Sequence, residues 1–172
     1  MNSTPELSSS STNRAVIFLD IDGVLNRSTI GEKRHVDRDL LARFERLVSA
    51  TNAQVVLAST WRHDPEGLAA ARRLNIPFDD VLPDLRPQSR ANEVDAWLAS
   101  HPEIKRFVIL DDEDDDYDKY PLFQPTSSEG LTPKLARGIE AYLKGERQSD
   151  MRRSIIARAC ETIRFAVFGH KG

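Results

Sequence analysis

The chain has 172 residues, 40% of them hydrophobic, which suits one buried core and makes a single domain the default. A formal net charge of −3 excludes a chain that is basic throughout, as a general nucleic-acid or membrane binder would be, and leaves only local patches for such work. The single cysteine, Cys160, excludes an internal disulfide and a cysteine-built metal site, and no apolar run reaches membrane-spanning length.

Residues 1–13 are rich in Ser and Thr, have too little apolar surface to pack, and are expected to be disordered. They lack a cationic flank followed by an apolar core, so no secretory signal is read and a cytoplasmic location is expected. The first element is the stretch Ala15–Asn26, AVIFLDIDGVLN. Its unbroken apolar run with β-branched members reads as a strand buried on both faces, as in a parallel sheet. The run ends at Asp20 and Asp22, with Gly23 next to free the backbone for a sharp turn. Ligands of open α/β sheets bind outside the carboxyl ends of strands, and two carboxylates there suit a shared hard cation. An ordinary acidic turn is the plain alternative.

Arg27 to Val36 is a polar loop carrying Arg27, Lys33, Arg34 and His35, either simply solvated or a basic rim beside the acids. Asp37 reads as the N-cap of a helix through about Ala50, with Leu40, Leu41, Phe44, Leu47 and Val48 at helical spacing. Gln54–Ser59 is a second buried-strand pattern, closing on Ser59 and Thr60, with Trp61 and Arg62 directly after. Asp64 and Pro65 open another helix through about Leu74, and the Pro- and Asp-rich connection Ile76–Leu85 has room for one short strand. Arg86 to Arg90 lead into a helix with Val94, Trp97 and Leu98 on one face. Arg106–Leu110 is the third clear strand, and it runs into the acids Asp111, Asp112 and Asp115. Asp114, Asp116 and Asp118 read as a solvated loop, and the glycine and glutamate of a calcium-binding EF-hand are missing. Thr132 and Pro133 start a helix to about Lys144, and residues 150–168 form a further amphipathic pattern expected to pack on the core, Cys160 within it. From Lys144 onward seven Lys/Arg face three Asp/Glu.

FLDIDGVLN resembles the first motif of the haloacid dehalogenase-like (HAD) phosphohydrolase superfamily, and the later strand ends follow in that family's order. The resemblance implies an α/β fold, a three-layer α/β/α sandwich with a mainly parallel Rossmann-like sheet. Residues 14–145 would form that domain, between the segments 1–13 and 146–172. It implies Asp20 as nucleophile and Asp22 as general acid/base. Ser59, with Thr60 as its rival, would bind the phosphoryl group. The third motif normally supplies a lysine, yet no lysine lies between Lys33 and Lys105. Arg90 is the best substitute and Arg86 the second, although a forked guanidinium differs from a compact ammonium. Mg²⁺ would be held by Asp20, the backbone carbonyl of Asp22, and Asp111 or Asp112, with Asp115 matching the last acid of the fourth motif. The Gly130-Leu131-Thr132 step looks like small capless relatives, some resembling phosphatases of nucleic-acid ends.

The expected activity is therefore a Mg²⁺-dependent phosphatase working through an aspartyl-phosphate. The gaps after the first and second motifs are too short for an independent cap, so an open site for a bulky substrate is expected. A nucleic-acid end comes first, with Arg27, Lys33, Arg34 and Arg62 as backbone contacts, and a phosphoprotein second. No membrane partner is expected, and nothing in the sequence sets an oligomeric state. The rivals are a small-metabolite phosphatase, a catalytically idle HAD-like binding module, and an acidic calcium- or protein-binding domain.

Overall fold

The computed structural model describes residues 14–27 and 34–145. The expectations for residues 1–13, for Lys33, and for the C-terminal helix with Cys160 lie outside them. The described chain runs β1 (Val16–Leu19), α1 (Arg38–Thr51), β2 (Gln54–Leu57), a 3-10 turn (Thr60–His63) and α2 (Pro65–Arg73). Then come β3 (Asp80–Val81), α3 (Arg90–Ala99), β4 (Phe107–Leu110), β5 (Leu122–Phe123) and α4 (Pro133–Lys144).

The strands form one sheet in the order β3-β2-β1-β4-β5, with every neighbouring pair parallel. β1 is central, which is why its apolar run carries no polar break: both faces are covered. Strand residues alternate between the faces. Ile17 and Leu19 join Val55, Leu57, Val108 and Leu110 in a core closed by Phe44 and Leu47 of α1, Ala70 and Ala71 of α2, and Ile139 and Leu143 of α4. Val16 and Phe18 face the other way, with Val56 and Ile109, against Ala91, Val94 and Trp97 of α3. The Phe18 ring meets Trp97 edge-on at 5.3 Å and Phe107 at 5.7 Å. Burying each such side chain contributes roughly 2 kcal/mol before ordering costs. The result is the three-layer α/β/α sandwich that the sequence reading expected.

Register sets up everything that follows. Leu19 pairs with Leu57 of β2 and with Leu110 of β4, so the three longest strands end level. Asp20, Ser59 and Asp111 therefore emerge at one edge. α1 starts at Arg38 with Asp37 at the N-cap position, as expected, but Asp37 does not cap it through its side chain. That carboxylate instead accepts hydrogen bonds from the backbone N–H and Nη1 of Arg27. Asp64 does cap α2, accepting from Gly67 N, and Thr132 caps α4, accepting from Leu135 N. The strand expected between Ile76 and Leu85 is β3, whereas the two-residue β5 was not foreseen. Among the described residues no segment forms a cap, since the elements between β2 and α3 belong to the core layers and the sheet edge.

Candidate active site

Asp20 follows β1 directly and its backbone N–H donates to Leu110 O, tying it to the end of β4. The residue is 6% exposed. Asp111, at the matching position after β4, is 1% exposed. Its Oδ1 accepts from Glu113 N at 3.0 Å, and Oδ2 accepts from Arg90 Nη1 at 2.7 Å. The same Nη1 lies 3.3 Å from Asp20 Oδ1. Arg90 opens α3 on the sheet face packed with Phe18, which aims its long side chain at the strand ends. One guanidinium thus spans the carboxylates that follow the two central strands.

Arg86, the second choice for this position, is exposed and hydrogen-bonds only Asp84, at 2.6 and 2.8 Å among the described contacts. Asp115, expected among the metal ligands, serves Arg90 instead. Its Oδ2 accepts from both Arg90 Nε and Arg90 N at 3.2 Å, and it is outside the carboxylate cluster formed by Asp20, Asp111 and Asp112.

Asp112 completes the cluster: Asp20, Asp111 and Asp112 each offer an oxygen within 4.8 Å of the others. Asp112 is oriented by Ser127, whose Oγ donates to its Oδ2 at 2.7 Å. Gly23 makes this approach possible. It has φ +68°, and a Cβ there would lie 2.1 Å from Asp112 Oδ2. Three carboxylates against one guanidinium leave surplus negative charge in a partly dehydrated place. Burial drives the Asp20 carboxyl well above its ordinary range, with Asp111 adding to the rise. Burial also lifts Asp111 to about 6, against the opposing pull of Arg90. A compact divalent cation with oxygen preference would relieve that surplus, so the donor set fits Mg²⁺.

Asp22 differs from Asp20 in being exposed. Its Oδ1 accepts from Asn26 Nδ2 and its Oδ2 from Trp61 Nε1, both at 2.8 Å. Ser59 is fully buried and its Oγ accepts from Trp61 N at 3.4 Å, while Thr60 is exposed. Arg62 overturns an expectation. It was read as a surface contact to substrate, yet its side chain is 2% exposed. Its guanidinium donates to Ala58 O, Ser59 O and the buried carboxylate of Glu93. It braces the end of β2 from within. Arg27 is held by Asp37 and Asp39, and Arg34 by Asp64, both with partly exposed side chains.

Sequence reasoning missed Trp61, Asn26 and Ser127 as members of the site. Trp61 and Asn26 stood beside the motifs as unassigned polar handles, whereas Ser127 gave no signal in a Ser-Thr-rich loop.

A parallel sheet whose central strands end in carboxylates, with a cation reaching over them from the next helix, defines a domain of the HAD phosphohydrolase type. A family model described as the HAD domain in Swiss Army Knife RNA repair proteins matches residues 16–136, and the chain belongs to that family. No curated protein and no solved structure matches the chain. Among the described residues no helix is long and apolar enough to cross a membrane.

Proposed function

We propose that the protein is a Mg²⁺-dependent phosphomonoesterase that works through an aspartyl-phosphate on Asp20 and acts on a nucleic-acid end. The observation that carries this reading is the Arg90 guanidinium laid across Asp20 and Asp111. It supplies positive charge where a phosphoryl group would have to approach an anionic nucleophile.

Phosphoryl transfer demands little covalent help and much positioning and charge neutralisation. Asp20 attacks phosphorus, and the bond to the departing oxygen breaks. Asp22 gives a proton to that oxygen. As a carboxylate it then takes a proton from the water that attacks phosphorus, which frees Asp20 and restores Asp22. Exposure of Asp22 suits it to meet both leaving group and water, whereas burial of Asp20 restricts that carboxylate to the phosphoryl group. Ser59 lies at the adjoining strand end as the favoured phosphoryl contact, and exposed Thr60 stays its rival. Mg²⁺, held by Asp20, Asp111 and Asp112, would neutralise the phosphoryl oxygens and keep the three carboxylates ionised.

Two things support a bulky substrate: the lack of a cap among the described residues, and the RNA-repair setting named in the family's description. Arg27 and Arg34 remain as partly exposed rim contacts. A 3′-phosphorylated oligonucleotide should release phosphate with Mg²⁺ and not with EDTA, and Asp20→Asn should abolish release. More than a few per cent of wild-type activity in Asp20→Asn would refute the nucleophile. Small sugar phosphates should be poorer substrates, and the oligonucleotide KM should rise with salt as phosphate contacts are screened.

A further inference from the structure

We infer that Trp61 is a positioning residue for Asp22, setting through its indole N–H the direction in which that carboxylate hands over its proton. The inference rests on the proposed role of Asp22 as proton carrier. Asp22 is exposed and lies on the loop that follows β1. Among the described residues its carboxylate accepts two hydrogen bonds on opposite oxygens, from Asn26 Nδ2 on Oδ1 and from Trp61 Nε1 on Oδ2. One such bond leaves the carboxylate free to swing about it. Two fix its plane, and each oxygen keeps a lone pair for the proton.

Both donors are themselves held. Asn26 accepts from Gly23 N and also donates to His35 O, each at 3.0 Å. Trp61 is 4% exposed, its N–H donates to Ser59 Oγ, and its carbonyl lies where a Cβ on Gly67 would be only 2.0 Å away. The Arg34 guanidinium lies 5.7 Å from the centre of the indole ring and is tied at 2.6 Å to Asp64. The second strand end thereby controls the acid of the first, across 39 residues of sequence. An indole that merely filled the core would need no ring N–H on a solvent-facing carboxylate.

Trp61→Phe keeps the packed ring and removes the donor. Two probe substrates separate proton delivery from general damage. The alkoxide leaving from glycerol 2-phosphate needs a proton, while the phenolate of 4-nitrophenyl phosphate departs without one. The ratio kcat/KM reports the steps through that departure. Trp61→Phe should lower kcat/KM about tenfold for glycerol 2-phosphate and at most about twofold for 4-nitrophenyl phosphate, a fraction of what general acid catalysis supplies. In an Asp22→Asn background, Trp61→Phe should cause no further loss on glycerol 2-phosphate. Equal losses on both substrates, no loss on either, or an undiminished loss in the Asp22→Asn background would overturn the inference. Failure of the phosphatase reading itself has a different signature, wild-type inactivity on both substrates and on the 3′-phosphorylated oligonucleotide, and would remove both.

Discussion

Stripped of divalent metal, the protein should become more stable, not less, on mild acidification. Asp111 carries the effect. Burial raises its carboxyl from 3.8 to about 6 despite the Arg90 guanidinium beside it, and its side chain is 1% exposed, so solvent screening is slight. An acid whose pKa is raised by folding holds its proton more tightly in the native state. Its penalty is complete above about pH 7, shrinks as pH falls through 6, and vanishes near the unfolded value of 3.8. At about 1.4 kcal/mol for each pH unit between 3.8 and 6, this amounts to ~3 kcal/mol, and Asp20 acts in the same direction. Asp39, Asp64 and Asp84 are shifted downwards by hydrogen bonds from Arg27, Gly67 and Arg86. Their contributions are lost only below about pH 4, outside this window. Between pH 8 and pH 5 about half of this, ~1.5 kcal/mol, is recovered, which for a domain of this size is about 5 °C in Tm. Thermal melts in EDTA from pH 8 to pH 5 should therefore rise towards pH 5. With Mg²⁺ the pH 8 melt should move up and the slope flatten, because the cation competes with protons for the same oxygens. A Tm in EDTA that falls steadily from pH 8 to pH 5 would refute the account of the site as a buried surplus of negative charge.

Arg90→Ala should lower kcat and raise KM together, while Arg86→Ala leaves both unchanged; steady-state kinetics giving the reverse pattern would move the cationic role to Arg86. Gly23→Ala should cost about 2 kcal/mol for its left-handed backbone and, by displacing Asp112, should also weaken Mg²⁺ activation, measured as the Mg²⁺ concentration for half-maximal rate. Arg62→Ala should cost about 3–5 kcal/mol in denaturant unfolding by stranding buried Glu93. A raised KM with unchanged stability would return Arg62 to the substrate contacts.

The elements that carry the chemistry were legible because their signals are local. β1, β2 and β4 are apolar runs that end abruptly in acids or hydroxyls, and a strand covered on both faces leaves no other pattern. The helices α1 to α4 announced themselves by apolar spacing and by Asp64, Thr132, Pro65 and Pro133 at their starts. β5 gave no such signal: Leu122 and Phe123 are too short a run to show a period, and they become a strand only because β4 offers an open edge. Side-chain direction was also out of reach. Arg62 and Arg90 are alike in sequence, each close to a strand end or helix start, yet one turns inward to Glu93 and the other lies across Asp20 and Asp111. Asp112 and Asp115 both suit a metal motif by spacing, and only the position of Arg90 divides them. Trp61 reaches Asp22 because β1 and β2 end level in the sheet. Sequence alone determined which residue types stand at the strand ends. The tertiary structure decided which of their atoms face one another, because hydrogen bonds and charge interactions act over a few ångströms between residues many positions apart in the chain.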